Sequence, residues 1–211
     1  MIQTQRKSAL GAFLVLTLLL ASFLTFAQSA TYQLDIKQSK LFWKGTKTIG
    51  TKHYGYLLFN LGWLRTNVAG KLSDGMFNIN MKSIKSTEHK DNAKNNGIEK
   101  ELNGSAFFET SKYPASLISI HTIMPTPVSS QYRVDGDLTI KKTKHPISFL
   151  ATIKQNGNIL LANANLTIDR VKWGIHQEKA TSITDQFLGG IKDKMIEDEI
   201  PIVLRLVFIK K

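Results

Sequence analysis

The chain contains no cysteine. No disulfide can staple it, no thiolate can serve as nucleophile or zinc ligand, and a lipid-modified N-terminal cysteine is excluded. Its core has to come from burial alone, and 211 residues are enough for that. Chemical signatures are equally scarce. There is no G-x-S-x-G elbow, no P-loop and no dinucleotide fingerprint. His53, His89, His121, His145 and His176 stand at spacings that match no zinc site. No enzyme, no metal and no cofactor is expected from this pattern. Internal repeats and linkers are missing too, so residues 31–211 read as one domain.

What is present begins with a targeting segment. Arg6 and Lys7 precede an apolar run from Ala9 to Phe26, and small residues follow at Ala27, Ser29 and Ala30. This is the arrangement of a cleaved signal peptide, assigned to residues 1–30. Export without cysteine fits a periplasmic or secreted bacterial protein, which makes the sequons at Asn103 and Asn165 chance matches. The formal charge is +12. Such an excess favours anionic surfaces, and a transient contact with a membrane surface is one expectation. A well-hydrated basic face is the plainer one, because acids are interspersed along the chain. Nucleic acid is not expected: the strand aromatics Phe59, Phe77, Phe149 and Phe208 are in phase with aliphatic residues rather than with lysines. Oligomeric state is open, a homodimer among the options.

Period-2 alternation dominates residues 31–211. Tyr32–Ile36 and Leu41–Lys44 are short strands. His53–Leu64 puts Leu57, Phe59, Leu61 and Trp63 on one face. Met76–Ser83, Ser116–Met124, Ile159–Ile168 and Ile200–Lys210 alternate in the same way. Tyr132–Ile153 is a hairpin around Lys141–Lys144, with Pro146 near the start of its second strand. Helix is confined to Gly97–Asn103, with Asn96 as N-cap and Gly104 beyond its end, and to a short turn at Ser182–Leu188; Ser86–Asn96 reads as loop. About eight antiparallel strands must hide their edges in a closed barrel or a two-sheet sandwich. Alternation leaves a cavity and a filled core equally open.

Four blocks carry a resemblance to a known family. They are Trp43-Lys44-Gly45 with Lys47, Gly50, His53 and Gly55; Leu102–Phe108 with Lys112-Tyr113-Pro114; Gly136–Lys141 with Pro146-Ile147; and Asp169–Ile175 with Gly190–Lys194. In this order they resemble the YceI-like family of exported proteins, in its Bacteroidetes-type branch, from about Tyr32 to Ile209. The resemblance implies an all-β fold, a single eight-stranded antiparallel lipocalin-like barrel with one or two short helices. It also implies an apolar, isoprenoid or quinone-like lipid as ligand. That family favours glycine where this chain has Lys142, so backbone strain is expected there.

The expected ligand-binding set joins the apolar strand faces to polar groups at one end. The faces supply Phe42, Phe59, Phe77, Ile79, Ile118, Ile120, Leu138, Phe149, Leu204, Leu206 and Phe208. His53, in a lysine-rich loop spanning Lys47–Gly55, and Arg170 would orient one end of the ligand. Trp173 belongs to the expected ligand-binding set too, with a barrel plug as its more common role, and Arg170 is expected to pair with Asp169 or another acid. The competing expectation is a filled barrel acting through its basic surface as an envelope stress or interaction protein.

Overall fold

The computed structural model describes residues 29–46, 52–175 and 197–211. Among them run nine strands: β1 (Thr31–Leu34), β2 (Lys40–Thr46), β3 (Lys52–Thr66), β4 (Leu72–Ser86), β5 (Ala115–Pro125), β6 (Gln131–Ile140), β7 (Thr143–Asn156), β8 (Ile159–Asp169) and β9 (Glu199–Lys210). One α-helix, α1 (Asn92–Asn103), and a 3-10 turn at Arg170–Trp173 complete the set. All of the leader but Ser29 and Ala30, the turn expected at Ser182–Leu188 and the Gly190–Lys194 block lie outside the described residues.

β1 and β2 share a single position in the sheet. β1 pairs with the end of β3 and the end of β9, while β2 pairs with the start of β3 and the middle of β9. The first strand stops at Leu34, short of the expected Ile36, because Asp35 begins a turn. Its carboxylate accepts from the side chain of Gln38 and from the backbone of Lys37 and Gln38, and these bonds, the first of them foremost, hold it below the usual carboxylate range. Ser39 then restores the pairing, its hydroxyl accepting from the Val207 N–H at 3.0 Å. With β3–β4 also paired, the sheet closes into an antiparallel barrel of eight staves with no free edge.

Alternation holds along β8 and β9 but breaks where β-bulges occur. Between Phe59 and Leu61 the β3–β4 register slips. Gly62 and Leu64 therefore point inward, while Leu61 and Trp63, expected inside, face outward; Leu61 is exposed and Trp63 lies under the Arg65 guanidinium. A second slip between Tyr56 and Leu58 sends both Met81 and Ile84 inward; the Ser83 hydroxyl serves the gap, accepting from Leu58 N–H and donating to Asn80 C=O. A third, between Ile120 and Thr122, turns Ile123 inward with Ile118 and Ile120. His121, in that bulge, pairs outside with Asp137.

The Tyr132–Ile153 hairpin is present, with a tighter turn than expected. Ile140 pairs with Thr143, leaving two linking residues. The positive φ of 54° falls on Lys141, not on Lys142, where the family's glycine places the expected strain. Helix α1 begins five residues before the sequence reading. Asp91 caps it by accepting from Ala93 N–H, and Gly104 ends it in extended rather than left-handed backbone. Asn95 explains the early start. Its buried amide bonds both the N–H and the C=O of His89, folding the polar stretch before it into a ledge.

Inside, one half of the barrel is solid. Phe77 stands between Phe59 and Phe208, with centroids 6.2 and 5.9 Å away, and Phe208 is fully buried. Gly62 makes room for this wedge, since a Cβ there would meet the Phe77 ring at 2.7 Å. The strained turn offers a test: Lys141→Gly should stabilise the protein by roughly 0.5–1 kcal/mol in chemical denaturation, and Lys142→Gly should give no gain.

Candidate functional site

The two longest connections, β4–β5 and β8–β9, stand at one end of the barrel with the β2–β3 connection and the β6–β7 turn, whereas the opposite end has turns such as Asn67–Lys71 and that at Gly157. The half-barrel under the long connections holds a cavity of about 160 Å³. An apolar cavity near 150 Å³ is large enough to take a benzene-sized guest and stay dry without one.

The wall is built by inward positions of seven staves. Leu41 and Trp43 come from β2, Leu57 from β3, Ile79, Met81 and Ile84 from β4, Ile118 from β5, Leu138 and Ile140 from β6, Leu166 and Ile168 from β8, and Ile202 and Leu204 from β9. Alternation places most of these side chains inward, the β3–β4 slip brings in both Met81 and Ile84, and no bulge interrupts β8 or β9 on this side. The cover comes from Ile98 and Leu102 of α1, Phe107 and Phe108 after it, and Ile175. Gly45, Thr46, His53, Glu101, Ser116, Arg170 and Ile200 complete the lining, and Glu101 is exposed.

The cover is latched by polar contacts. Glu99 accepts from Ser86 N–H at 3.1 Å and from the Lys85 ammonium at 2.9 Å, which raises the lysine's pKa. Asn95 accepts from the Ser86 hydroxyl on the same strand end. Phe107 is buried by the turn that follows, where Asn103 accepts from the Thr110 hydroxyl at 2.6 Å.

His53 is a strand residue, not a loop residue; it pairs with Gly45 across β2–β3. Residues 47–51 of the expected loop lie outside the described residues. Its Nδ1 sits 2.7 Å from the Glu88 carboxylate, whose other oxygen is 2.6 Å from His89 Nε2. The Glu88 side chain is only 5% exposed, so the pairing fixes the orientation of the imidazole in the cavity lining.

The Asp169–Ile175 block resolves into separate tasks. Asp169 caps the 3-10 turn, accepting from Val171 N–H, and Gly174 ends it at φ 65°. Arg170 is 3% exposed. It donates to the carbonyls of Ile175 and Glu197 and pairs at 3.0 Å with Asp198, the acid the sequence left unspecified. Its guanidinium thus ties together both described ends of the β8–β9 connection beneath the cover. Trp173, expected among the ligand-binding residues, does not line the cavity. It donates to Leu138 C=O at 3.0 Å and packs edge-on to His145, outside the cavity lining.

Of the expected ligand-binding set, Ile79, Ile118, Leu138, Leu204, His53 and Arg170 meet at the cavity. Phe59, Phe77, Ile120, Leu206 and Phe208 are buried in the core outside the lining, the three phenylalanines forming the wedge. Phe149 packs partly buried against the core, and Phe42 faces outward under the Arg205 guanidinium at 5.1 Å. The wall also contains Trp43, Phe107 and Phe108, which the expected set omits. They stand in the blocks that mark the family, and their apolar character is the signal that points to them. On the outer face, the bond from His121, followed by that from Lys144, holds the Asp137 carboxyl below its usual range.

An eight-stranded antiparallel barrel is wide enough to hold one small ligand in its interior. The YceI-like domain matches residues 32–208, and the chain belongs to that family. Among solved structures, BcnA of Burkholderia cenocepacia is similar at 22% identity and a TM-score of 0.62, covering 82% of this chain and 98% of its own. A polyisoprenoid binding domain from Saccharophagus degradans is similar at 13% identity and a TM-score of 0.59, covering 89% and 100%. At these identities the likeness establishes the fold. The curated proteins hold no match.

The clamp can be tested through stability. Arg170→Met should cost about 3 kcal/mol in urea denaturation, because buried carbonyls lose a charged donor, while Asp198→Asn, at a site 62% exposed, should cost under about 1 kcal/mol. Equal losses for the two variants would contradict the clamp.

Proposed function

We propose that this protein is an exported carrier that sequesters an elongated apolar or amphipathic lipid, isoprenoid or quinone-like, with part of the molecule inside the half-barrel. The single observation that carries this reading is the 160 Å³ chamber, lined mainly by aliphatic and aromatic side chains, with the Phe59–Phe77–Phe208 wedge packed in the core outside its lining. Membership of the YceI-like family and the description of the Saccharophagus degradans relative as polyisoprenoid binding support it. Each methylene withdrawn from water contributes about 0.8 kcal/mol before ordering losses, so a lipid tail supplies ample driving force. Binding without turnover is the activity proposed. The competing reading of a filled barrel describes only the wedge half.

Export follows from the leader at residues 1–30. The protein isolated from the periplasm or medium of expressing bacterial cells should have the mass of the chain without the leader. Solvent extraction of that material should release a lipid detectable by mass spectrometry. Repeated extracts with no amphiphile, and no saturable uptake of prenyl lipids or quinones, would reject the carrier reading.

A carrier has to meet a membrane. Lys141 and Lys142 form the β6–β7 turn directly after Ile140, a cavity-lining residue, at the end that holds the cover. We propose this turn as the contact with an anionic bilayer. Reversing both charges (Lys141→Glu with Lys142→Glu) should weaken binding to phosphatidylglycerol vesicles by ~10-fold or more at low salt. Unchanged sedimentation with those vesicles would refute the contact.

A further inference from the structure

The wall of the chamber is mostly apolar, and among the described residues two of its polar groups differ from the others in being buried without a partner. Trp43 and Ser116 both line it, and the Trp43 Nε1 and Ser116 Oγ atoms are buried with no hydrogen-bond partner among the described residues. Ser116 is 4% exposed. Buried polar groups are almost always partnered, and an orphaned donor is expensive enough that a chain folding for stability alone would replace it. Neither residue is there to fill space as nothing else could: alanine serves an inward β5 position beside Ile118, and phenylalanine serves the indole's volume.

The indole is held in place. Trp43 pairs with Gly55 across β2–β3, and a Cβ at Gly55 would stand 2.8 Å from the ring carbon Cζ2 and collide with the Lys85 carbonyl. Glycine at 55 therefore lets the ring lie flat over β3. Indole N–H is a donor only, and a serine hydroxyl can donate after rotation about one bond, so both groups ask for an acceptor. The acceptor they suit is uncharged. Arg170, the arginine of the lining, commits its guanidinium to the Ile175 and Glu197 carbonyls and to Asp198, and the lining also contains Glu101. A phosphate seated among aliphatic side chains without a counter-charge would lose its hydration uncompensated.

Resting on the carrier reading, we infer that Trp43 and Ser116 are specificity-determining residues that select a lipid with a neutral oxygen acceptor, such as an alcohol or a carbonyl, inside the chamber. Pure hydrocarbons leave both donors orphaned, and anionic lipids introduce an unpaired charge.

The test uses three probes with one tail: farnesol, farnesene and farnesyl phosphate. Each is titrated by displacement of the neutral dye N-phenyl-1-naphthylamine from wild type, Ser116→Ala and Trp43→Phe. Wild type should bind farnesol at least ~10-fold more tightly than either other probe. Each variant should lose about 5-fold for farnesol while farnesene changes by less than about 2-fold. Both variants should melt no lower than wild type, since each sheds a buried group without a partner. Equal binding of farnesol and farnesene by wild type, tightest binding of the phosphate, or uniform weakening of all probes in variants with lowered melting temperatures would each overturn the inference and leave the carrier reading standing. No binding of any probe would overturn both.

Discussion

Closure of the sheet is the constraint on which everything else depends. β1 and β2 together supply the stave that pairs with β3 on one side and β9 on the other, and only then does the sheet have no edge. Once eight staves are closed, the interior is a fixed space that inward side chains must share. Large residues at one end therefore mean room at the other. The Phe59–Phe77–Phe208 wedge, seated against Gly62, fills one half completely. Aliphatic side chains line the remainder without meeting, and the chamber is what they leave.

The chamber lies where the chain is longest between strands. Short turns seal the wedge end, and the connections carrying α1 and the 3-10 turn stand over the chamber. Their attachment is polar: Asn95 and Glu99 to the end of β4, Arg170 to Ile175, Glu197 and Asp198. Burial and hydrogen bonding thus divide the work. Apolar packing determines the barrel and its volume, while a few polar side chains hold the cover.

Much of this is legible from alternation. The strands, the hairpin and the inward faces of β8 and β9 follow from period 2, whereas the need to hide edges leaves barrel and sandwich open and the resemblance points to the barrel. What alternation misses lies at bulges, because one extra residue inverts every later side chain on that strand. Period 2 puts Leu61 and Trp63 inside for this reason, and sets Ile123 on the face with His121. The short range of each helical signal hides the start of α1: Asn95 acts through a bond to His89 that no periodicity reports. His53 has the surroundings of a loop residue, glycines and lysines, yet it extends β3. Phe42 follows Leu41 in sequence, and the same alternation that buries one exposes the other. Arg170 is recognisable as a clamp, but its partner Asp198 lies beyond the whole β8–β9 connection, and folding alone brings the two together. Which apolar residues form floor and which form wall depends on height along the barrel, a quantity one-dimensional patterning does not contain.

The division of the interior into floor and chamber can be seen directly. A crystal structure of the protein isolated with its own lipid should show continuous density bounded by Ile79, Ile118, Leu138 and Leu204, emerging past His53, with the three phenylalanines still in mutual contact. Lipid density that threads between Phe77 and Phe208, or lies only on the outer surface, would contradict a half-filled barrel built to hold one end of a lipid.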